Sequence, residues 1–288
     1  MSIVVTGATG QLGRLVVADL LAAGVPASGL TAVARSKEKA ADLIEQGVQV
    51  AIADYDQPDT LNGVLQAGDR VLLISGNELG RRIPQHQAVI DAAKAAGVAQ
   101  LAYTGIFGGP KAEFRLAADH RGTEQLILDS GLPYTFLRNN WYTEVSTTDL
   151  AGIVERGAIV NGVAADGRLA TAARADYAAA AAAVLTGDGH LNTAYELSGD
   201  AAWTYGEFAA ELSRQSGKPV VHRTISRAEN KAMLVSVGLP EGFADVLADV
   251  DEAISNGVLA GTPGDLSRLI GRPTTPLATS IADALAKA

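Results

Sequence analysis

Cysteine is absent from all 288 residues. That excludes disulfides and thiolate metal sites and fits a cytoplasmic location. No apolar run is long enough to cross a bilayer, so no membrane association is expected. An apolar β-branched run begins at residue 3, with no basic region or signal-peptide pattern before it. Cationic residues are in deficit: 23 Lys and Arg face 32 Asp and Glu, for a net charge of −9. A nucleic-acid partner, which needs clustered Lys and Arg, is therefore not expected. Aromatics make up only 5% of the chain. No His-Glu-x-x-His occurs, so no metal site is expected. A Gly-x-Ser-x-Gly elbow and a Walker loop are missing too, which argues against a hydrolase of the α/β type and a nucleoside triphosphatase.

What is present begins at once. Ile3-Val4-Val5 is a short strand-like run, followed by Gly7-Ala8-Thr9-Gly10-Gln11-Leu12-Gly13 and then by apolar residues at helical spacing from Leu15 to Leu21. The order is strand, glycine turn, helix. Gly7 permits the tight turn, Gly10 lets a pyrophosphate approach the backbone, and Gly13 lets helix and strand pack closely. The helix N-terminus offers free N–H groups and the positive end of its dipole. Gly7, Ala8, Thr9, Gly10, Gln11 and Leu12 are thus candidate dinucleotide contacts. A second strand over residues 30–34 runs into Arg35-Ser36-Lys37. NAD-selective proteins usually carry an acid there, on the ribose hydroxyls. A guanidinium at this position instead suits a 2′-phosphate, so NADPH is the expected cofactor.

Alternating apolar runs continue along the chain. A helix is expected over 37–45, a strand over 48–53 and a helix over 59–66. The continuous apolar strand 71–75 reads as buried on both faces, and its end places Ser75 and Gly76 at the sheet's carboxyl edge. A helix opens at Pro84, carries His86 in its first turn and stops at Gly97. Further elements are a strand over 98–104, a helix over 118–129 with His120, and a strand over 134–138. These βα repeats predict an α/β, Rossmann-type doubly wound parallel sheet over residues 1–140, with later segments returning to it. Residues 141–288 form a smaller, mostly helical substrate domain. In it Asp176 is a candidate cap for an alanine helix, residues 194–197 are a short strand, and Thr204 to Glu207 is a capping box. Residues 226–257 are mostly helical, broken at Gly238-Leu239-Pro240.

From these landmarks the sequence resembles the NmrA-like branch of atypical short-chain dehydrogenases, near its bacterial NADPH:quinone oxidoreductases and triphenylmethane reductases. The residues that carry this are Thr6 to Gly13, Arg35, Ala53-Asp54-Tyr55, Leu72 to Ser75, Pro84-Gln85-His86, Leu137-Arg138-Asn139, Trp141-Tyr142 and Arg174-Ala175-Asp176-Tyr177. The resemblance implies NADPH held by residues 7–12, by Arg35, by Ser75 and Gly76, by Asn139, Asn140, Trp141, Tyr142, Thr143 and Glu144, and by Arg174. It implies hydride transfer to a quinone or a similar flat electrophile. Two places depart from the family pattern. Gly76-Asn77 stands where serines are frequent, and Tyr103-Thr104-Gly105 stands for Tyr-Thr-Ser.

Related dehydrogenases pair a tyrosine with a lysine four residues on. The residue four after each of the seven tyrosines is Asp59, Phe107, Arg138, Ser146, Ala181, Gly199 or Ala209, never lysine. Quinone reduction needs less, because the cofactor carries the hard step and the product oxyanion is only modestly basic. Trp141, Tyr142 and Phe107 can build a flat slot. Tyr103, His86 and Asn139 are the candidate donors to a quinone oxygen. The expected protein is a reductase, as a monomer or homodimer. An NADP(H)-binding redox sensor without turnover is the alternative.

Overall fold

A computed structural model describes residues 2–78 and 80–287. The first half alternates strand and helix: β1 (Ile3–Val5), α1 (Gln11–Ala22), β2 (Leu30–Ala34), α2 (Ala41–Glu45), β3 (Gln49–Ile52), β4 (Arg70–Leu73), α3 (Arg82–Ala96), β5 (Gln100–Ile106), α4 (Arg115–Ser130) and β6 (Tyr134–Asn139). Then come α5 (Thr143–Thr147), α6 (Leu150–Arg156), β7 (Ala158–Asn161), β8 (Arg168–Leu169), α7 (Arg174–Thr186) and β9 (Thr193–Leu197). The chain closes with β10 (Trp203–Thr204), α8 (Tyr205–Ser216), β11 (Val221–Thr224), α9 (Arg227–Ser236), α10 (Glu241–Ser255), α11 (Asp265–Ile270) and α12 (Leu277–Leu285).

Seven strands form one parallel sheet in the order β3-β2-β1-β4-β5-β6-β9. Strand order reverses between β1 and β4, and a doubly wound sheet binds its ligand in the crevice at that reversal. Side chains alternate between the two faces, as the pleat requires. Ile3, Val5, Leu72 and Ala102 pack with α1 and α7 on one side, including Val16, Leu20, Ala178 and Leu185. Val4, Val71, Leu73, Leu101 and Tyr103 pack on the other, with Val89, Ile90 and Ile127 of α3 and α4. Burial on both faces explains why these strands read as unbroken apolar runs.

A third core belongs to the second half. Leu150, Ile159, Leu169, Trp203, Phe208, Leu212, Val250 and Ile254 pack there with Ile106 at the end of β5 and with Phe107 and Phe114 from the β5–α4 loop. Two small sheets, the parallel pair β7–β11 and the antiparallel pair β8–β10, flank it. The expected capping box is present: Thr204 Oγ1 accepts from the Glu207 N–H, and the Glu207 carboxylate accepts from the Thr204 N–H.

Two local expectations differ from the structure. Residues 59–66 are not an α-helix; only Pro58–Leu61 makes a 3-10 turn. Gly63, at φ +75°, ends it in a left-handed conformation that glycine alone adopts cheaply. Asp176 does not cap α7, whose N-cap is Ala173. Its buried carboxylate instead accepts from the Thr275 N–H at 2.8 Å and pairs with Arg272 at 2.7 Å. The strand near 194 is one of the later segments that return to the main sheet: β9 pairs with β6 from Thr135↔Thr193 to Asn139↔Leu197.

Candidate functional site

A cavity of about 670 Å³ lies along the β1/β4 crevice. Its floor is the β1–α1 turn, with Gly7, Thr9, Gly10, Gln11, Leu12 and Gly13. Gly7 adopts φ +59°, and a side chain there would sit 3.4 Å from Ile74 Cβ across the strand reversal. Helix α1 starts without a side-chain cap and without an acid in its first turn. Its first N–H groups therefore face the cavity with no competing carboxylate. A Cβ on Gly13 would lie 2.4 Å from the Gly7 carbonyl oxygen, so helix and turn touch backbone to backbone. At Gly10 the only atom a Cβ would crowd is the same oxygen, at 3.2 Å; otherwise it would project into the cavity.

One end of the cavity carries cations. Arg35 and Lys39 line it beside Asp54 and Tyr55. Arg35 is largely exposed, with 63% of its side chain accessible, and pairs loosely with Glu78 at 3.4 Å. A guanidinium so placed is free to exchange that partner for a phosphate. Burial pushes the Tyr55 hydroxyl up to about 12, so it stays protonated. Ile74, Ser75, Gly76, Asn77 and Glu78 form one wall, with Arg82 and Gln85 behind them. The Ser75 N–H is held by Thr104 Oγ1 at 2.9 Å, and the Ile74 N–H by Thr6 Oγ1 at 3.2 Å. Tyr142 and Arg174 close the other end, the guanidinium 4.8 Å over the Tyr142 ring. An uncapped helix start, a backbone cradle and cations at a strand end together fit a dinucleotide with an extra phosphate.

The structure brings Gly7, Thr9, Gly10, Gln11, Leu12, Arg35, Ser75, Gly76, Tyr142 and Arg174 to this one cavity. Ala8 is fully buried beneath it. Of residues 139–144 only Tyr142 lines the cavity, while Asn140, Trp141, Thr143 and Glu144 make other contacts. Asn140 Nδ2 donates to the Leu259 carbonyl at 3.0 Å, and its Oδ1 accepts from the Trp141 N–H at 2.7 Å. Trp141 packs against the third core. Thr143 Oγ1 donates to Thr171 Oγ1 at 2.8 Å. Glu144 accepts from the Arg174 N–H at 2.9 and 3.1 Å, so it fixes the start of α7.

The three candidate donors to substrate, Tyr103, His86 and Asn139, lie behind the cavity wall. Tyr103 and His86 are both fully buried, at 0% exposure. Tyr103 hydroxyl sits 2.8 Å from His120 Nδ1. His86 Nε2 accepts from the Gly76 N–H at 3.0 Å, and its Nδ1 lies 2.8 Å from Thr123 Oγ1. Burial pulls His86 down to about 4, so its ring is neutral. All these atoms are engaged inside the protein, and neither residue lines the cavity. Asn139 is buried, and its Nδ2 donates to the Tyr142 hydroxyl at 3.4 Å. Its Oδ1 has no partner. Phe107 lines a separate cavity of about 420 Å³ with Arg138 and Glu196, so the three aromatics do not form one slot. Arg138 there forks onto Glu124 at 2.9 and 2.8 Å and onto Glu196 at 2.9 Å.

Arg82, Gln85 and Lys39 escaped the sequence reading. Arg82 and His86 are four apart on α3, and His120 and Thr123 three apart on α4. Such pairs share a helix face, which was the available signal.

Residues 7–188 match the family model described as NAD(P)H-binding. The chain is 48% identical over 279 residues to quinone oxidoreductase 2 of Escherichia coli (strain K12), covering 97% of each chain. It superposes on the E. coli NADPH-dependent quinone oxidoreductase complexed with NADPH with a TM-score of 0.95, at 47% identity and with 98% and 99% of the two chains covered. The Citrobacter sp. triphenylmethane reductase complexed with NADP(H) gives a TM-score of 0.93 at 43% identity, over 98% and 100% of the chains.

Proposed function

The chain belongs to the NAD(P)H-binding family, and from that premise we propose that it is an NADPH-dependent reductase that passes a hydride directly to quinones or related flat electrophiles. The observation that carries this reading is the single cavity running from Arg35 and Lys39, past the uncapped start of α1, to Tyr142 and Arg174. In a relative of known structure, a chain of the same fold is complexed with NADPH.

Each wall of the cavity has a task in this reading. Arg35 and Lys39 take the 2′-phosphate by charge-assisted hydrogen bonds. The N–H groups of residues 11 and 12, the first of α1, take the pyrophosphate. Bound there, NADPH supplies the hydride. Ser75, Gly76, Tyr142 and Arg174 border the end where its reactive ring lies. The ring face must meet a flat acceptor at reacting distance with water excluded, and Tyr142 under its guanidinium is a rigid apolar plate for that purpose. The phenolate-type product is basic enough for solvent to protonate, so no buried acid is needed. The substrate is a small molecule. The chain acts in the cytoplasm, as a monomer or homodimer, without a nucleic-acid partner.

The test is loss of NADPH absorbance on adding 1,4-benzoquinone, corrected for the uncatalysed reaction. Enzyme-dependent oxidation that saturates in both reactants is expected. Tight NADPH binding with no enzyme-dependent rate across several quinones and dyes would replace the reductase with a redox sensor.

A further inference from the structure

Beneath the Ser75–Asn77 wall, five side chains hang on the two polar atoms of Gly76. Its N–H donates to His86 Nε2 at 3.0 Å, and its carbonyl accepts from Arg82 Nε. Thr123 spends its hydroxyl proton on the Asp119 carbonyl at 2.9 Å. It must therefore accept from His86 Nδ1, which fixes that tautomer. Arg82 Nη1 lies 3.5 Å from His120 Nε2. A guanidinium only donates, so His120 carries its proton on Nδ1, toward the Tyr103 hydroxyl at 2.8 Å. The two arms meet where the His86 and Tyr103 rings pack edge to face, 5.5 Å apart. Burial keeps both histidines neutral and Tyr103 protonated. Arg82 is thus the only charge in the cluster.

That charge is buried and unpaired. Arg82 is 8% exposed, the only arginine among the buried polar residues described. Two carboxylates serve its neighbour instead: Arg81 pairs with Asp56 at 2.9 Å and Glu78 at 3.7 Å. Asp119 acts on Arg82 only from beyond ion-pair distance, and burial lowers the guanidinium's proton affinity. A desolvated cation with no counter-ion is costly to keep. Yet Arg82 lines the dinucleotide cavity beside Gly76, across the strand reversal from the β1–α1 turn.

We propose that Arg82 is a further cofactor-binding residue, whose guanidinium takes a pyrophosphate oxygen of the dinucleotide, with His120 and Tyr103 as positioning residues that aim it. This rests on the dinucleotide reading of the cavity. The pyrophosphate is common to NADH and NADPH, whereas the 2′-phosphate belongs to NADPH alone. Arg82 therefore sets affinity for both, and Arg35 sets the preference between them.

The test is titration of the full-length protein with NADPH and with NADH, without quinone, followed by fluorescence, together with thermal melting of the apo protein. Arg82→Met is expected to raise both Kd values by a common factor of about ten or more, the usual worth of a charge-assisted bond. Its apo melting temperature is expected to match or exceed that of the wild type, since an unpaired buried charge has gone. Arg82→Lys keeps the charge but cannot reach Gly76 and His120 together, so its Kd values fall between. Unchanged Kd values with a lowered melting temperature overturn the proposal, leaving Arg82 a structural residue. A rise for NADPH alone also overturns it, by moving Arg82 to the 2′-phosphate. Should Arg82→Met not fold, wild-type Kd values in Arg82→Lys overturn it equally. Failure of the wild type to bind either dinucleotide would be a different result, against the underlying reading.

Discussion

Gly10 and Gly13 lie on the same turn but are glycine for different reasons, and alanine at each separates folding from binding. A Cβ at Gly13 would stand 2.4 Å from the Gly7 oxygen, 2.6 Å from Ala8 Cα and 2.9 Å from Ala8 C. All three are backbone atoms, which cannot rotate away. Reaching ordinary contact requires α1 to move by about 1 Å, against a helix whose Val16, Val17 and Leu20 are buried under α7. Overpacking of this kind costs about 3 kcal/mol, at the upper end of its usual range. For a chain of this size that lowers the melting temperature by roughly 6 °C or more. Gly10 is at φ −77°, open to any residue, and its Cβ would press only on one oxygen at 3.2 Å. Gly10→Ala is therefore expected to stay within about 1 kcal/mol of wild-type stability. Its methyl group would nevertheless occupy the approach to the first N–H groups of α1, and NADPH affinity should drop by about tenfold or more. Melting curves and NADPH titration of both variants check this. Wild-type affinity in Gly10→Ala would refute the placement of the pyrophosphate on this turn. Wild-type stability in Gly13→Ala would refute the backbone contact.

Three further outcomes follow from the same geometry. Arg35→Ala should weaken NADPH by about tenfold and leave NADH unchanged in paired titrations, because only the 2′-phosphate loses its partner. Acid should destabilise the fold below neutrality: His86 and His120 titrate near 4 and 3 in the fold against an ordinary 6.5, so the unfolded chain binds two extra protons as pH falls through that window. Asp251, pushed up to about 6 by burial, keeps one proton in the fold and opposes them. Over these three groups the net is about one proton, or roughly 1.4 kcal/mol lost per pH unit between pH 6 and 4.5; His190 and His222, also pulled down by burial, act in the same direction. Urea midpoints read the loss, and stability rising on acidification would contradict it. Glu124→Leu should cost about 3 kcal/mol in urea unfolding, since the half-buried Arg138 guanidinium loses its forked partner and keeps only Glu196.

What the sequence disclosed was local. The β1–α1 turn, the cationic end of β2 and the Thr204 capping box each depend on residues a few positions apart, and each reads directly from order and spacing. The helix limits moved by a few residues, as at α3, which starts at Arg82 rather than Pro84. What escaped depends on distant partners. Asp176 looks like a cap until Thr275 and Arg272 arrive 99 and 96 residues later. His86 looks like a donor until Thr123 and Gly76 take both its nitrogens. Asn140, Thr143 and Glu144 stand beside a strand's carboxyl end, where ligands bind, yet Leu259, Thr171 and Arg174 claim them. In each case a polar side chain's role was settled by which buried group found it first in space.

The seventh strand of the main sheet, β9, and the helix before it come from chain that has already left for the second half and returned. The two halves are therefore threaded through one another rather than strung end to end. Neither can be excised by a single cut: stopping at residue 140 strips the nucleotide half of an edge strand and of the helix that covers α1. Exchange of second halves between relatives would need two simultaneous splices, and a ribosome must deliver some two hundred residues before the first half can close.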